Sequence, residues 1–327
     1  MPSEERRIQR LLTAARTAAA HGDRQEARDL YCRAGHWLYL DREWQAAGAA
    51  YQEAARLAPR KRGSDSGLLQ GASSCFLKAG NHRDAVHCLQ AAATHLIDAG
   101  DFNTAAGHYI SMGQLVAAGD LDRGMFYFEQ AARLYEATSK SFKSDNAEKA
   151  WLTVGELAAR QSDYQRAITI FEGVAQANLR DATVHEIQDR YTFATDYFRA
   201  HTWLDPEKAS AAYFRAVLCY LCRDGPLAAK MAVVRCEDRH PGFASSALRG
   251  IISQAMGGAE NAFTVESLEK VLKTDAANSK KGYGTAYHHG GGHMAYLSLT
   301  QWSRGMLGPA LEQLHDAENG QTRKANE

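Results

Sequence analysis

The chain has 327 residues, 45% of them hydrophobic and 23% charged, with Lys plus Arg and Asp plus Glu balanced at 38 each. A formal charge of zero argues against a protein built to coat nucleic acid, which carries a basic surplus, while leaving room for a local basic surface. No apolar run reaches the roughly 18 residues of a membrane-spanning helix, and the charged start MPSEERRIQR has no apolar core of the kind a secretory signal needs.

The first predicted helix covers residues 4–20, with Ile8, Leu11, Leu12 and Ala15 on one side. From residue 27 a nine-residue pattern recurs: Ala, three residues, an aromatic or Leu, two residues, a small residue, then Ala or Gly. It reads Ala27-Tyr31-Ala34-Gly35, Ala47-Tyr51-Ala54-Ala55, Ala85-Leu89-Ala92-Ala93 and Ala105-Tyr109-Met112-Gly113. It continues as Gly124-Phe128-Ala131-Ala132, Ala147-Trp151-Val154-Gly155 and Ala167-Phe171-Val174-Ala175. Offsets of 0, 4, 7 and 8 share one face of an α-helix. The small residues let two helices approach closely while the aromatic fills the space between them.

Punctuation falls between the copies, at Gly22-Asp23, Leu40-Asp41, Ala79-Gly80-Asn81, Ala99-Gly100-Asp101, Ala118-Gly119-Asp120 and Gln161-Ser162-Asp163. Gly suits a helix C-terminus and Asp or Asn an N-cap, so each is a short turn between antiparallel helices. Two copies make a hairpin of about 40 residues, the size of a helical repeat. Longer basic loops are expected at 59–65 and 140–145.

After residue 178 the rhythm loosens. A helix is expected over 182–203, and another begins at Asp205-Pro206 with a further copy, Ala209-Tyr213-Ala216-Val217. His240-Pro241-Gly242-Phe243 is a break, and 260–273 reads as helical. Residues 278–292, rich in Gly, His and Lys, read as a flexible loop, and a last helix is expected from Met294 to about Leu307. The chain thus divides into an all-α hairpin array over 1–178 and a second part over 179–327.

Little in this order carries chemistry. His288, His289 and His293 cluster, but three glycines separate His289 from His293 and no acid completes a ligand set, so the segment reads as a polar loop. Cys219 and Cys222 form a C-x-x-C inside a helical pattern with no second pair at zinc spacing, so they read as core thiols. The six cysteines as a set are expected to be buried and reduced. No phosphate-binding loop or nucleophile elbow is present, and neither a metal nor a cofactor is expected. Arg42, Lys78 and Lys149 fall near turns or helix starts of different repeats. A repeat array aligns equivalent positions in rows, so they are candidates for one basic stripe that fits an acidic helical partner.

Particular stretches go further. AAGAAYQEAARL at 46–57, CFLKAGNHRDAVHCLQAAATHLIDAGDFNTAAGHYISMG at 75–113 and DYQRAITIFEGV at 163–174 resemble the SNAP family, the attachment proteins that bring the ATPase NSF to SNARE complexes. FRAVLCYLCRD at 214–224, HPGFASS at 240–246, FTVESLEK at 263–270 and QWSRGML at 301–307 extend the resemblance to the alpha-type members.

The resemblance implies an all-α, twisted right-handed solenoid of TPR-like antiparallel hairpins ending in a C-terminal helical bundle. It implies a non-enzymatic adaptor, cytoplasmic and peripheral on membranes. Several copies would surround one SNARE four-helix bundle through Arg42, Lys78 and Lys149 and engage an NSF-type AAA ATPase at the C-terminal end. Leu314, Asp316 and Glu318 stand for the family's acidic, leucine-bearing tail. Two other usually basic positions hold Asp101 and Gly107, and only His21-Gly22-Asp23 stands where relatives carry an apolar, Phe-rich membrane loop, so only weak membrane contact is expected. A scaffold serving other helical partners, without stimulating the ATPase, is the alternative.

Overall fold

A computed structural model of the chain describes residues 2–58, 65–138, 145–179, 206–245 and 249. All regular structure among the described residues is α-helical. In order the helices are α1 (Pro2–His21), α2 (Arg24–Leu40), α3 (Trp44–Leu57), α4 (Ser66–Lys78), α5 (His82–Ala99), α6 (Phe102–Val116) and α7 (Leu121–Thr138). After them come α8 (Asp145–Arg160), α9 (Tyr164–Leu179), α10 (Pro206–Arg239) and the single turn α11 (Pro241–Ala244). The chain forms two compact units, Met1–Ala150 and Trp151–Glu327, divided within α8.

In the first unit each helix from α1 to α7 packs on its neighbour in sequence. The repeated pattern accounts for how. Its leading positions Ala27, Ala47, Ala85 and Ala105 are fully buried. Its final Gly receives the aromatic of the following copy: a Cβ on Gly35 would lie 3.0 Å from the Tyr51 ring, and one on Gly113 2.8 Å from Phe128. A Cβ at 2.8 Å would force the Phe128 ring to shift and one at 3.0 Å would crowd Tyr51, so Gly suits the places where the next aromatic seats against the backbone. The same fit recurs in the second unit, where a Cβ on Gly155 would meet Phe171 at 2.6 Å. Gly48 extends it between hairpins, against Phe76.

The predicted turns close as helix C-caps. In five of them the amide just past the turn bonds back five residues: Asp23 to Ala18, Glu43 to Leu38, Asn81 to Phe76, Asp101 to Leu96 and Asp163 to Ala158. This pattern needs a left-handed residue immediately before that amide. Gly22, Gly80 and Gly100 supply it with φ of 88°, 76° and 80°, but Arg42 and Ser162 take the same role at 62° and 63°. The next residue then starts a helix, and Asn81, Asp101, Asp120 and Asp163 each accept a side-chain bond from a first-turn amide.

In the second unit α9 packs on α10. Ala209, Tyr213, Ala216 and Val217 are buried, as the pattern predicts. A buried ion pair, Arg215 to Glu156 at 3.3 Å, ties α10 to α8. The sequence reading marks no break before His240, yet the chain turns at Gly225, whose φ of 83° and ψ of −172° interrupt the helix. The physical reason is Pro226, which lacks the amide hydrogen for the helical ladder and drives its predecessor out of the helical region. The expected break at His240 is real but brief, since Pro241 starts α11 one residue later. The expected loops at 59–65 and 140–145 lie almost wholly outside the described residues. So do the helices at 182–203, 260–273 and 294–307, the 278–292 loop, the His288, His289 and His293 cluster, and the C-terminal bundle.

Candidate partner-binding surface

The α2–α3 and α4–α5 turns share one end of the first unit. Lys78, in the last turn of α4, reaches across to α2 and α3. Its Nζ lies 4.3 Å from the centroid of the Tyr39 ring and 4.6 Å from that of Trp44, and it donates to Tyr39 Oη. The two rings meet edge to face, 5.0 Å apart. Asn81 Nδ2 donates to Gln45 Oε1 at 3.3 Å and joins the start of α3 to the start of α5. Lys78 remains exposed, as does Arg42, at the crown of the turn between Tyr39 and Trp44.

The structure therefore groups Lys78 with Tyr39 and Trp44 and puts Arg42 on the turn that those two rings bracket. Asp41 and Glu43 flank Arg42, so that turn has no positive surplus of its own. Lys149 sits in the second turn of α8 and is half-buried; no described contact joins it to Arg42 or Lys78. The two residues found where the resemblance leads one to expect basic side chains, Asp101 and Gly107, have structural settings. Asp101 caps α6 through the Thr104 amide at 3.1 Å. Gly107 lies further along α6, with open space where a side chain would stand. Leu314, Asp316 and Glu318 lie outside the described residues.

The aromatic partners of Lys78 escape a reading that looks for charges alone. The signal available in the sequence is an aromatic on each side of the Asp41–Glu43 turn, one repeat before a lysine that ends its own helix.

Nothing at this surface is arranged for bond chemistry. The C-x-x-C thiols are buried in α10. Burial pushes Cys222 up to about 12 and raises Cys219 as well, which favours the neutral thiol form of both. Cys88 and Cys236 are likewise favoured as thiols, raised by burial to about 11 and about 12. Among the described residues no group of His, Cys, Asp and Glu is placed to hold a metal ion, and no helix is long and apolar enough to cross a membrane.

Comparison with known proteins supplies the family context. The profile of the soluble NSF attachment protein, SNAP, matches residues 10–198. The alpha-soluble NSF attachment proteins of Mus musculus and Homo sapiens are each 30% identical over 230 residues, which cover 68% of this chain and 68% of theirs. A protein of Neurospora crassa named as a probable vesicular-fusion protein sec17 homolog is 24% identical over 225 residues, 67% of this chain and 68% of its own.

Proposed function

Because the chain belongs to the soluble NSF attachment protein family, we propose that it is a non-enzymatic adaptor that binds SNARE complexes and recruits an NSF-type ATPase to dismantle them in vesicle fusion. The likeness to the alpha-type attachment proteins over 230 residues carries this reading. An array of rigid hairpins suits the work, since it presents a long surface and passes torque along its length without chemistry of its own.

Arg42, Lys78 and Lys149 contact the acidic surface of the SNARE four-helix bundle, with several copies surrounding one bundle. Leu314, Asp316 and Glu318 face the ATPase and stimulate it. The protein acts in the cytoplasm, with weak peripheral contact with membranes. Support for the grip comes from Lys78, which the fold keeps exposed and held in place.

The test is co-sedimentation of the protein with an assembled SNARE bundle and the ATPase, with and without ATP hydrolysis. A ternary complex that falls apart on hydrolysis is the expected result. Binding to the bundle without recruitment of the ATPase would favour the second reading, a scaffold for other helical partners. Asp101 and Gly107, where the family resemblance leads one to expect basic residues, are the observation on that side.

A further inference from the structure

We infer that Tyr39 and Trp44 are positioning residues that hold the Lys78 ammonium in a fixed place on the partner-binding surface, so that it meets an acidic helical partner already oriented. The inference rests on the functional reading above for its partner, but on the geometry alone for the holding.

A surface lysine ordinarily explores many rotamers and gives up that freedom on binding. Lys78 is constrained from two sides. Its Nζ lies 2.5 Å from Tyr39 Oη but 4.3 Å from the Tyr39 ring centroid, which puts the ammonium at the hydroxyl end of that ring. Tyr39 thus acts chiefly as a hydrogen-bond acceptor. Trp44, with its centroid at 4.6 Å, offers the electron-rich indole. The rings are themselves fixed by their edge-to-face contact and by the helix ends that carry them. Among the described residues no carboxylate is paired with the ammonium: it is held by a phenol and an indole, so no direct ion pair cancels its charge. A salt bridge in the same place would fix the lysine and cancel it. An ammonium has three hydrogens and Lys78 is exposed, so donors remain that a carboxylate of the partner can meet.

The constraint is tested first without a partner. In solution NMR the ε-methylene protons of Lys78 should be shifted by the indole ring current, and the shift should vanish in Trp44→Leu. A Lys78 resonance at its random-coil position in the intact protein would overturn the inference outright.

Binding to an assembled SNARE four-helix bundle at low salt then tests the consequence, with thermal melts to confirm that each variant is folded. Tyr39→Phe, which removes the acceptor hydroxyl, and Trp44→Leu, which removes the indole, should each weaken binding about two- to five-fold, the range of a weak net hydrogen bond or an exposed cation–aromatic contact. Trp44→Phe should recover most of the loss. In a Lys78→Ala background both substitutions should be silent, because there is no ammonium left to place. If Lys78→Ala weakens binding while Tyr39→Phe and Trp44→Leu do not, or if the effects simply add, Tyr39 and Trp44 do not position Lys78 and the inference falls. If Lys78→Ala itself leaves binding unchanged, the assignment of this surface to the bundle fails, and the positioning role falls with it even where the ring-current shift is present.

Discussion

Arg42 holds a left-handed backbone, φ 62°, at a turn position that Gly fills at 22, 80 and 100. A side chain there costs about 1–2 kcal/mol relative to Gly. The cost is borne at a residue proposed for the partner surface, and strain of this kind concentrates at functional sites. Arg42→Gly should therefore raise the melting temperature while weakening binding to the SNARE bundle. A variant that is more stable and binds as tightly would show that Arg42 is only a turn residue. His108 is a titratable group of another kind, inside the array rather than on its surface. It is buried in α6, and burial lowers its pKa below 6.5 despite the opposing pull of Asp101. Between the folded value and 6.5 the unfolded chain binds a proton that the folded chain refuses, so stability rises with pH through that window and falls on acidification below about 6.5. His108→Gln should flatten this slope in denaturant titrations at pH 5 to 7, and an unchanged slope would assign the acid sensitivity elsewhere.

At the scale of elements, glycines in helices are of two kinds, and the repeat pattern separates them. Gly155 is the landing site for Phe171, whereas Gly173, on the exposed side of α9, faces open space. Gly155→Ala should destabilise by about 1–3 kcal/mol through overpacking. Gly173→Ala should stabilise by up to about 1 kcal/mol through helix propensity. Chemical denaturation of the two variants separates the cases, and a stabilising Gly155→Ala would mean the ring yields easily. Position in the nine-residue pattern, read from sequence alone, already distinguishes these two glycines. Turns were equally legible, because a Gly followed by Asp or Asn fixes both a helix end and the next start. What escaped the sequence had a different physical origin. The turns at Leu40-Asp41 and Gln161-Ser162-Asp163 are legible too, but not that Arg42 and Ser162 take the left-handed position that Gly fills elsewhere, and the kink at Arg223-Asp224-Gly225-Pro226 lies inside a segment that reads as one helix. In the candidate site the charges were visible, because Arg42 and Lys78 declare themselves by residue type. The Tyr39–Trp44 pair was not, since it forms only when the ends of α2, α3 and α4 converge.

For the molecule as a whole, a net charge of zero makes local arrangement decisive. A protein without a basic surplus has little long-range attraction for polyanions in general. Its attraction to an acidic helical bundle must come from a few cations at short range, within a screening length of about 8–10 Å at physiological salt. Binding to the SNARE bundle should then weaken as salt rises, while binding to heparin or duplex DNA stays weak throughout. Lys149 allows this to be checked at a site remote in sequence from Lys78. Reversing its charge with Lys149→Glu should weaken bundle binding at low salt and flatten the salt dependence, so that the variant and the parent converge as salt is raised. Half-burial of Lys149 makes a melting curve for the variant part of the same measurement, because a lost fold would lower affinity at every salt concentration alike. Parallel salt curves with equal affinity would remove Lys149 from the surface and leave the grip to the end of the array that carries Arg42 and Lys78.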